Sequence, residues 1–149
     1  MQQAETSKWK TILVNLVAWL AAIWIACEML FYLQYKLTGP TLVFERLSDW
    51  SGVPEKPFRL FVAGMEIVAA ILVMIPRLQG PGGLFTMGIM GGAIFFHIFT
   101  PLTIDPYEDG GKLFQEACFT FLMGAVLAWL RREQILAWLP RRLATALAA

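Results

Sequence analysis

Long apolar runs alternate with short polar segments along this chain. Four of the runs approach the length of about 20 residues that a helix needs to cross a bilayer. They are Thr11–Tyr35, Phe58–Ile75, Leu84–Leu102 and Leu113–Leu130. Because the runs lack the alternation typical of barrel strands, we expect helices, which satisfy their backbone polar groups internally in lipid. The pattern predicts an all-α fold, a polytopic four-transmembrane-helix bundle that forms a single membrane domain over residues 1–149.

The segments between the first three runs predict further local structure. Within Thr41–Trp50, the apolar residues Val43, Leu47 and Trp50 recur at the spacing of one helical face, which predicts a short interfacial helix. Pro76–Gly83 is rich in proline and glycine and predicts a tight turn, so the second and third helices would form a hairpin.

Two other segments predict packing and anchoring. Gly88 and Gly92 are four residues apart, a spacing that allows a neighbouring helix to approach closely. The C-terminal segment 131–149 mixes Arg pairs with Leu and Trp, which predicts an interfacial segment on anionic headgroups. A helix that docks a partner protein is the alternative for this segment.

Composition and charge agree with a membrane protein. The chain is 58% hydrophobic and only 15% charged, with a net charge of +1, so nothing favours nucleic-acid binding. Lysine and arginine are somewhat more frequent on the side of the two termini, which places both termini in the cytoplasm by the positive-inside rule. That side carries Lys8, Lys10, Arg77, Arg131, Arg132, Arg141 and Arg142, and the other side carries Lys36, Arg46, Lys56, Arg59 and Lys112.

Each predicted transmembrane helix contributes one ionisable residue to the outer half of the bundle. These residues are Glu28, Glu66, His97 and Glu116. Glu66 is the deepest, and we expect His97 to be its partner, because a carboxylate in lipid requires a partner, a wet pocket or a function. Glu116 falls in the first turn of its helix, where a solvated carboxylate is favoured. The cluster either binds a ligand or only joins the helices by polar contacts.

The two cysteines, Cys27 and Cys118, lie at similar depth in the outer half. A redox-active disulfide is one interpretation, and inert packing in an apolar environment is the other. No metal-binding spacing is present, so the prediction is that no metal is bound. The single histidine excludes a bis-histidine haem within one chain.

Several short motifs together resemble the DoxX-like family of small four-helix membrane proteins, over roughly residues 25–130. The motifs are Phe31–Pro40, Gly64-x-Glu66, Ile75-Pro76-Arg77 and Met90-x-x-Ala93-x-x-x-His97. The resemblance implies a four-helix bundle in the prokaryotic cytoplasmic membrane and association with enzymes such as thiosulfate:quinone oxidoreductase. It carries over only Glu66 and His97, as polar positions of the family pattern.

These observations lead to one leading hypothesis. The protein would be an integral subunit or accessory protein of a respiratory or redox system, with a quinone- or lipid-binding pocket in the outer half and no covalently bound cofactor. Glu66 and His97 would bind the ligand or relay a proton, with Glu28 and Glu116 beside them. The expected partners are the lipid bilayer and other membrane or redox subunits, and the acidic loop Asp105–Gly111 either docks a basic partner or is a solvated turn.

Two alternatives remain open at this point. A stand-alone membrane enzyme would use Glu66 and His97 as an acid–base pair. A purely structural subunit would fill a seam in a larger assembly. Of the three, the sequence favours a subunit of an oxidoreductase complex.

Overall fold

A computed structural model describes residues 2–138 of the chain, with side chains from residue 7 onward. Its helices are α1 (Gln2–Phe31), α2 (Leu33–Thr38), α3 (Leu42–Ser51), α4 (Glu55–Met74), α5 (Gln79–Phe99), α6 (Lys112–Leu130) and α7 (Arg132–Leu136). The part of the predicted C-terminal interfacial segment from residue 139 to residue 149 lies outside the described residues.

The four long helices confirm the predicted all-α four-helix bundle. The α1–α2 unit, α4, α5 and α6 are each long and apolar enough to cross a membrane. Around the bundle, α1 packs on α4, α4 on α5, α5 on α6, and α6 on α1. We call the end that holds α2, α3 and the α5–α6 loop the distal end, and the end that holds α7 and the α4–α5 turn the basal end.

Small residues dominate the interior of the bundle, and large apolar residues cover its exterior. The core of α1 is built mainly from Ala18, Ala21, Ala22 and Ile25. Leu20, Phe61 and Leu122 are among the large side chains that remain exposed. This arrangement is typical of membrane helices, which associate by close packing of small residues while lipid solvates the outer surface.

The helices come closest at the basal end, through glycines that the sequence assigned to a turn. Helix α5 begins at Gln79, so Gly82 and Gly83 lie in its first turns rather than in a loop. A Cβ on Gly83 would lie 2.7 Å from the Gly124 carbonyl oxygen, and one on Gly82 would lie 2.9 Å from the Val73 amide nitrogen. Pro81 fits here because the first turn of a helix leaves its N–H groups without intrahelical acceptors.

The prediction that Gly88 and Gly92 allow close helix approach is wrong. No heavy atom of a neighbour lies within 4 Å of a Cβ built on either residue. The close contact of α5 is made one to three turns earlier in the helix, and the later glycines leave open space.

The predicted short helix after the first span is confirmed as α3, but its buried face differs from the predicted one. Phe44 and Leu47 are buried, whereas Trp50 is 50% exposed. The helix is capped by the residue that follows it, Gly52, whose φ of 73° is the left-handed conformation that glycine adopts without steric cost. Helix α3 therefore covers the distal end of the bundle with Phe44 and Leu47.

The first span is longer than predicted and is interrupted at its distal end. Helix α1 ends at Phe31, and after Tyr32 the chain continues as the short helix α2. Lys36, which the sequence assigned to the following loop, belongs to α2. The interruption matters because residues of α2 contribute to the site described next.

Candidate functional site

A cavity of about 590 Å³ occupies the distal half of the bundle. We call it the distal cavity; residues of α1 to α6 and of the α5–α6 loop line it. Most of its wall is apolar, and Gly88 and Gly92 belong to that wall, so the space beside them is part of the cavity. Its volume lies within the range of roughly 300–1,000 Å³ that small-molecule sites occupy.

Glu66 forms a salt bridge with Lys36, not with His97 as predicted. Both carboxylate oxygens of Glu66 accept hydrogen bonds from the Lys36 ammonium group, each at 2.8 Å. Only 6% of Glu66 is exposed. The long lysine side chain reaches inward from α2, so it supplies the opposite charge that a carboxylate at this depth requires.

His97 is held by the backbone of the loop that follows its own helix. Its Nδ1 lies 2.7 Å from the carbonyl oxygen of Thr103, and its ring contacts Phe114 edge-to-face. Since a carbonyl oxygen only accepts hydrogen bonds, Nδ1 carries the proton. In the neutral ring, Nε2 is then an acceptor, and among residues 7–138 it has no hydrogen-bond partner. His97 is 3% exposed and lines the distal cavity.

Glu28 and Glu116 both face the distal cavity from neighbouring helices. Glu116 accepts a hydrogen bond of 2.6 Å from the Tyr32 hydroxyl group and is half-buried, so the prediction of a solvated carboxylate is wrong. Its helix begins at Lys112, which places Glu116 beyond the first turn. For Glu28, no hydrogen bond is present within residues 7–138.

Arg59 fixes the position of the Lys36 backbone. It is 5% exposed, donates from Nε to a Glu55 carboxylate oxygen at 2.5 Å, and donates from a terminal nitrogen to the Lys36 carbonyl oxygen. The sequence analysis counted Arg59, the second residue of the predicted span Phe58–Ile75, only as a positive charge on the side opposite the termini. The buried guanidinium group instead joins α2 to α4 and so positions the Lys36–Glu66 pair.

Aromatic residues form one wall of the distal cavity. Phe44, Phe58 and Phe96 make successive edge-to-face contacts, with centroid distances of 5.5 and 6.0 Å. Tyr107, from the α5–α6 loop, also lines the cavity. Burial raises the pKa of the Tyr107 phenol, so it stays neutral across the physiological range. The wall can pack against a flat or a flexible apolar group.

The two cysteines are free thiols and do not line the distal cavity. Cys27 is exposed on the outer surface of the bundle and Cys118 is half-buried. The structure therefore contains no Cys27–Cys118 disulfide. Among the described residues, no group of three or more His, Cys, Asp or Glu side chains is arranged to hold a metal ion.

Glu28, Glu66, His97 and Glu116 all line one cavity, and the partners of Glu66 and His97 differ from the predicted ones. Sequence reasoning missed Tyr32, Lys36 and Arg59. A signal for two of them was available, because Glu28, Tyr32 and Lys36 follow one another at intervals of four residues, which places them along one helical face. Glu55 and Arg59 have the same spacing.

Comparison with known proteins adds no functional information to this geometry. No family model, curated protein or solved structure matches the chain. The resemblance to the DoxX-like family stays a prediction from short motifs.

Proposed function

We propose that this protein binds a lipid-like molecule with a polar head, a quinol or quinone being the leading candidate, in its distal cavity. In this proposal it is an integral membrane subunit or accessory protein of a redox system, with both termini in the cytoplasm of a prokaryotic cell. The observation that supports binding is the distal cavity itself, with an apolar wall and a few polar groups at fixed positions. The redox role rests on the family resemblance alone.

Glu28 and the Nε2 atom of His97 have no hydrogen-bond partner among residues 7–138, and both residues line the distal cavity, so they are available to a ligand. The Tyr32 hydroxyl group donates to Glu116, and the Lys36 ammonium group donates to both carboxylate oxygens of Glu66. An ionised Glu28 carboxylate and the Nε2 of a neutral His97 ring can only accept. A quinol, which donates from two hydroxyl groups, fits this arrangement better than a quinone, whose carbonyl oxygens only accept.

The availability of Glu28 and His97 as acceptors changes the mechanism expected from the sequence. Glu66 is neutralised by Lys36 and acts in the proposal as a positioning group, whereas Glu28 and His97 contact the ligand head. Each of these two can take a proton from a bound hydroxyl group as the quinol is oxidised by a redox partner. The described residues show no Glu66–His97 hydrogen bond, so no observation favours the acid–base enzyme.

Occupancy of the distal cavity is the first test. Gly92→Leu fills space that is empty beside α5, and Val68→Leu adds bulk to an exposed position of α4 outside the cavity. After gentle extraction, mass spectrometry should find a retained quinone or other single lipid species with the wild type and Val68→Leu, and lose it with Gly92→Leu. Equal retention by Gly92→Leu, or only bulk phospholipid with the wild type, contradicts the proposal.

The redox state of the ligand is the second test. Titration of the purified protein with a short-chain quinone should show tighter binding of the reduced form, by about tenfold, which corresponds to one additional hydrogen bond of about 1.4 kcal/mol. Glu28→Leu removes one acceptor and should reduce that preference. Equal affinity for both forms in the wild type would exclude the donor–acceptor argument and leave a nonspecific lipid site.

The redox association needs its own measurement. Co-purification from the original membrane should recover an oxidoreductase subunit together with the chain. If Glu66→Gln and Glu28→Leu change assembly yield but not activity per assembled complex, the purely structural subunit is the correct alternative.

A further inference from the structure

A second cavity, of about 460 Å³, lies at the basal end of the bundle. We call it the basal cavity. Its charged lining residues are Lys10 of α1, Arg131 and Arg132 at the α6–α7 junction, and Glu133 of α7. The lining therefore carries three cationic side chains and one carboxylate, and the proposed function uses none of them.

Arg131 is oriented for this cavity by a buried amide. Its Nε donates to the Gln79 Oε1 at 2.9 Å, and Gln79 is fully buried. The Gln79 Nε2 has no hydrogen-bond partner within the described part of the chain. The amide therefore accepts from Arg131 while its own N–H donors stay unsatisfied, which costs free energy. The contact at Nε leaves the two terminal nitrogens of the guanidinium group for an anion.

The wall that carries these arginines is fixed to the rest of the bundle. The Gln134 side-chain oxygen accepts from the Gly80 amide at 2.9 Å, and its nitrogen donates to the Pro76 carbonyl oxygen at 2.8 Å. Helix α7 is thereby joined to the α4–α5 turn. A preformed wall lowers the conformational cost of binding, because the arginines need little reordering.

The surroundings of the basal cavity correspond to the headgroup level of a bilayer. Trp129 is 69% exposed next to it, and the Arg132 guanidinium group lies 5.1 Å from the Trp129 ring centroid. Exposed tryptophans are enriched at membrane–water interfaces. Val14 and Leu130, which are apolar residues of the membrane-spanning helices, line the cavity together with the charged groups.

We propose that the basal cavity binds the phosphate group of an anionic phospholipid. Arginine presents several donors in the planar arrangement that matches phosphate oxygens, and Lys10 adds a third positive charge from the neighbouring helix. Val14 and Leu130 continue the site toward the acyl chains. The sequence predicted only a diffuse anchor over residues 131–149, whereas this is a defined site between α1 and α7. It is independent of the ligand in the distal cavity.

The test uses the full chain in nanodiscs that contain equal amounts of phosphatidylglycerol and phosphatidylcholine. Lys10→Gln/Arg132→Gln removes two charges while it leaves the Arg131–Gln79 contact intact. Lys56→Gln/Lys112→Gln removes the same charge from exposed residues at the distal end and is the matched control. Native mass spectrometry after release counts the phospholipids that each protein retains, and thermal unfolding is followed in parallel with added inorganic phosphate.

We expect the wild type and the control to retain phosphatidylglycerol at least fivefold over phosphatidylcholine, and the basal double variant to lose that preference. Retention should also fall when ionic strength is raised from about 0.1 M to about 1 M, because screening shortens the range of the interaction. If inorganic phosphate stabilises the wild type and the control but not the basal variant, while neither lipid is preferred, the site binds free phosphate and the phospholipid proposal is wrong. Equal retention of both lipids by the wild type, or equal losses in the two double variants, would overturn the proposal.

Discussion

The two halves of α5 use glycine in opposite ways. At the basal end, Gly82 and Gly83 bring α5 into contact with the backbones of α4 and α6, and there is no room for a Cβ. Toward the distal end, Gly88 and Gly92 have no neighbour within 4 Å of the Cβ position and line a cavity instead. Helix α5 therefore joins a closely packed basal half of the bundle, the closed half, to a distal half that holds a cavity, the open half.

This difference shows that glycine spacing alone does not identify a packing interface. What distinguishes the two pairs is the opposing helix. Gly83 meets Gly124 and Ala128, which are themselves small, whereas Gly92 meets no neighbouring helix and lines the distal cavity. The closed half fixes the helix positions, and the open half can then hold polar groups that packing alone would exclude.

The largest expected effect is at the closed half. Gly83→Ala places a Cβ 2.7 Å from the Gly124 carbonyl oxygen, and backbone must move to admit it. We expect the free energy of unfolding to fall by about 3 kcal/mol, as for overpacked cores. The same change at Gly88 meets open space and should leave stability unchanged or raise it by up to about 1 kcal/mol. Reversible unfolding in detergent measures both, and equal effects would remove the distinction between the two halves.

The next effect concerns the ion pair of the open half. Lys36→Met leaves Glu66 buried without its partner, which should cost about 2 kcal/mol, less than for a permanently charged group because the carboxyl group can take up a proton. Lys36→Met/Glu66→Met removes both charges and should recover most of that loss. A double variant as unstable as the single one would mean that Lys36 stabilises the fold by packing rather than by pairing.

A smaller effect is expected in the loop that holds His97. Thr103 has a φ of 66°, which is strained for a β-branched residue. Thr103→Gly should relieve that strain and raise stability by about 0.5 to 1 kcal/mol, while the carbonyl oxygen still accepts from His97. Ile104→Gly, at the next residue without positive φ, should lower stability. A loss of stability with Thr103→Gly would show that its side chain contributes more than its strain costs.

The smallest effect is the pH response of the distal loop. Desolvation raises the pKa of Asp105, but N–H donors of Asp109, Gly111 and Gly110 outweigh it and hold the pKa below its ordinary value of 3.8. Because the pKa of the folded state is the lower one, the loop is stabilised above pH 3.8 and loses this contribution as the pH falls through the lowered pKa. The protection factor of the Gly110 amide, its exchange rate relative to an unstructured peptide at the same pH, should fall only in that acid range, and Asp105→Asn should remove this pH-dependent change in protection.

Hydrophobic patterning predicted the fold well because the spans are set by length and polarity. The run Leu113–Leu130 differs from α6 by one residue, since Gly111 and Lys112 mark a sharp change in composition. The beginning of α5 was harder to predict. Gly80, Pro81, Gly82 and Gly83 resemble a turn, and only the close approach of neighbouring helices explains why glycine is needed inside this helix. Gly82 meets the backbone of α4, and Gly83 meets that of α6.

The site was predicted in its location but not in its pairing. Depth along each helix placed Glu66 and His97 in the same half, which the structure confirms. Their hydrogen-bond partners depend on how far each side chain reaches and on which face of its helix it lies. The depth along a helix gives neither. Lys36 comes from beyond the predicted end of its span, because α2 turns it inward, and His97 binds a carbonyl oxygen, which no side-chain pattern reveals.

Gly88 is exposed on the surface of the bundle and also lines the distal cavity. Gly88 thus adds no side chain to the cavity wall at an exposed position of α5. A molecule that enters beside Gly88 arrives from the bilayer, so occupancy follows its mole fraction among the lipids rather than its concentration in water. Affinities measured in detergent and in membranes are comparable only after the partition of the molecule between water and the lipid or detergent phase is taken into account.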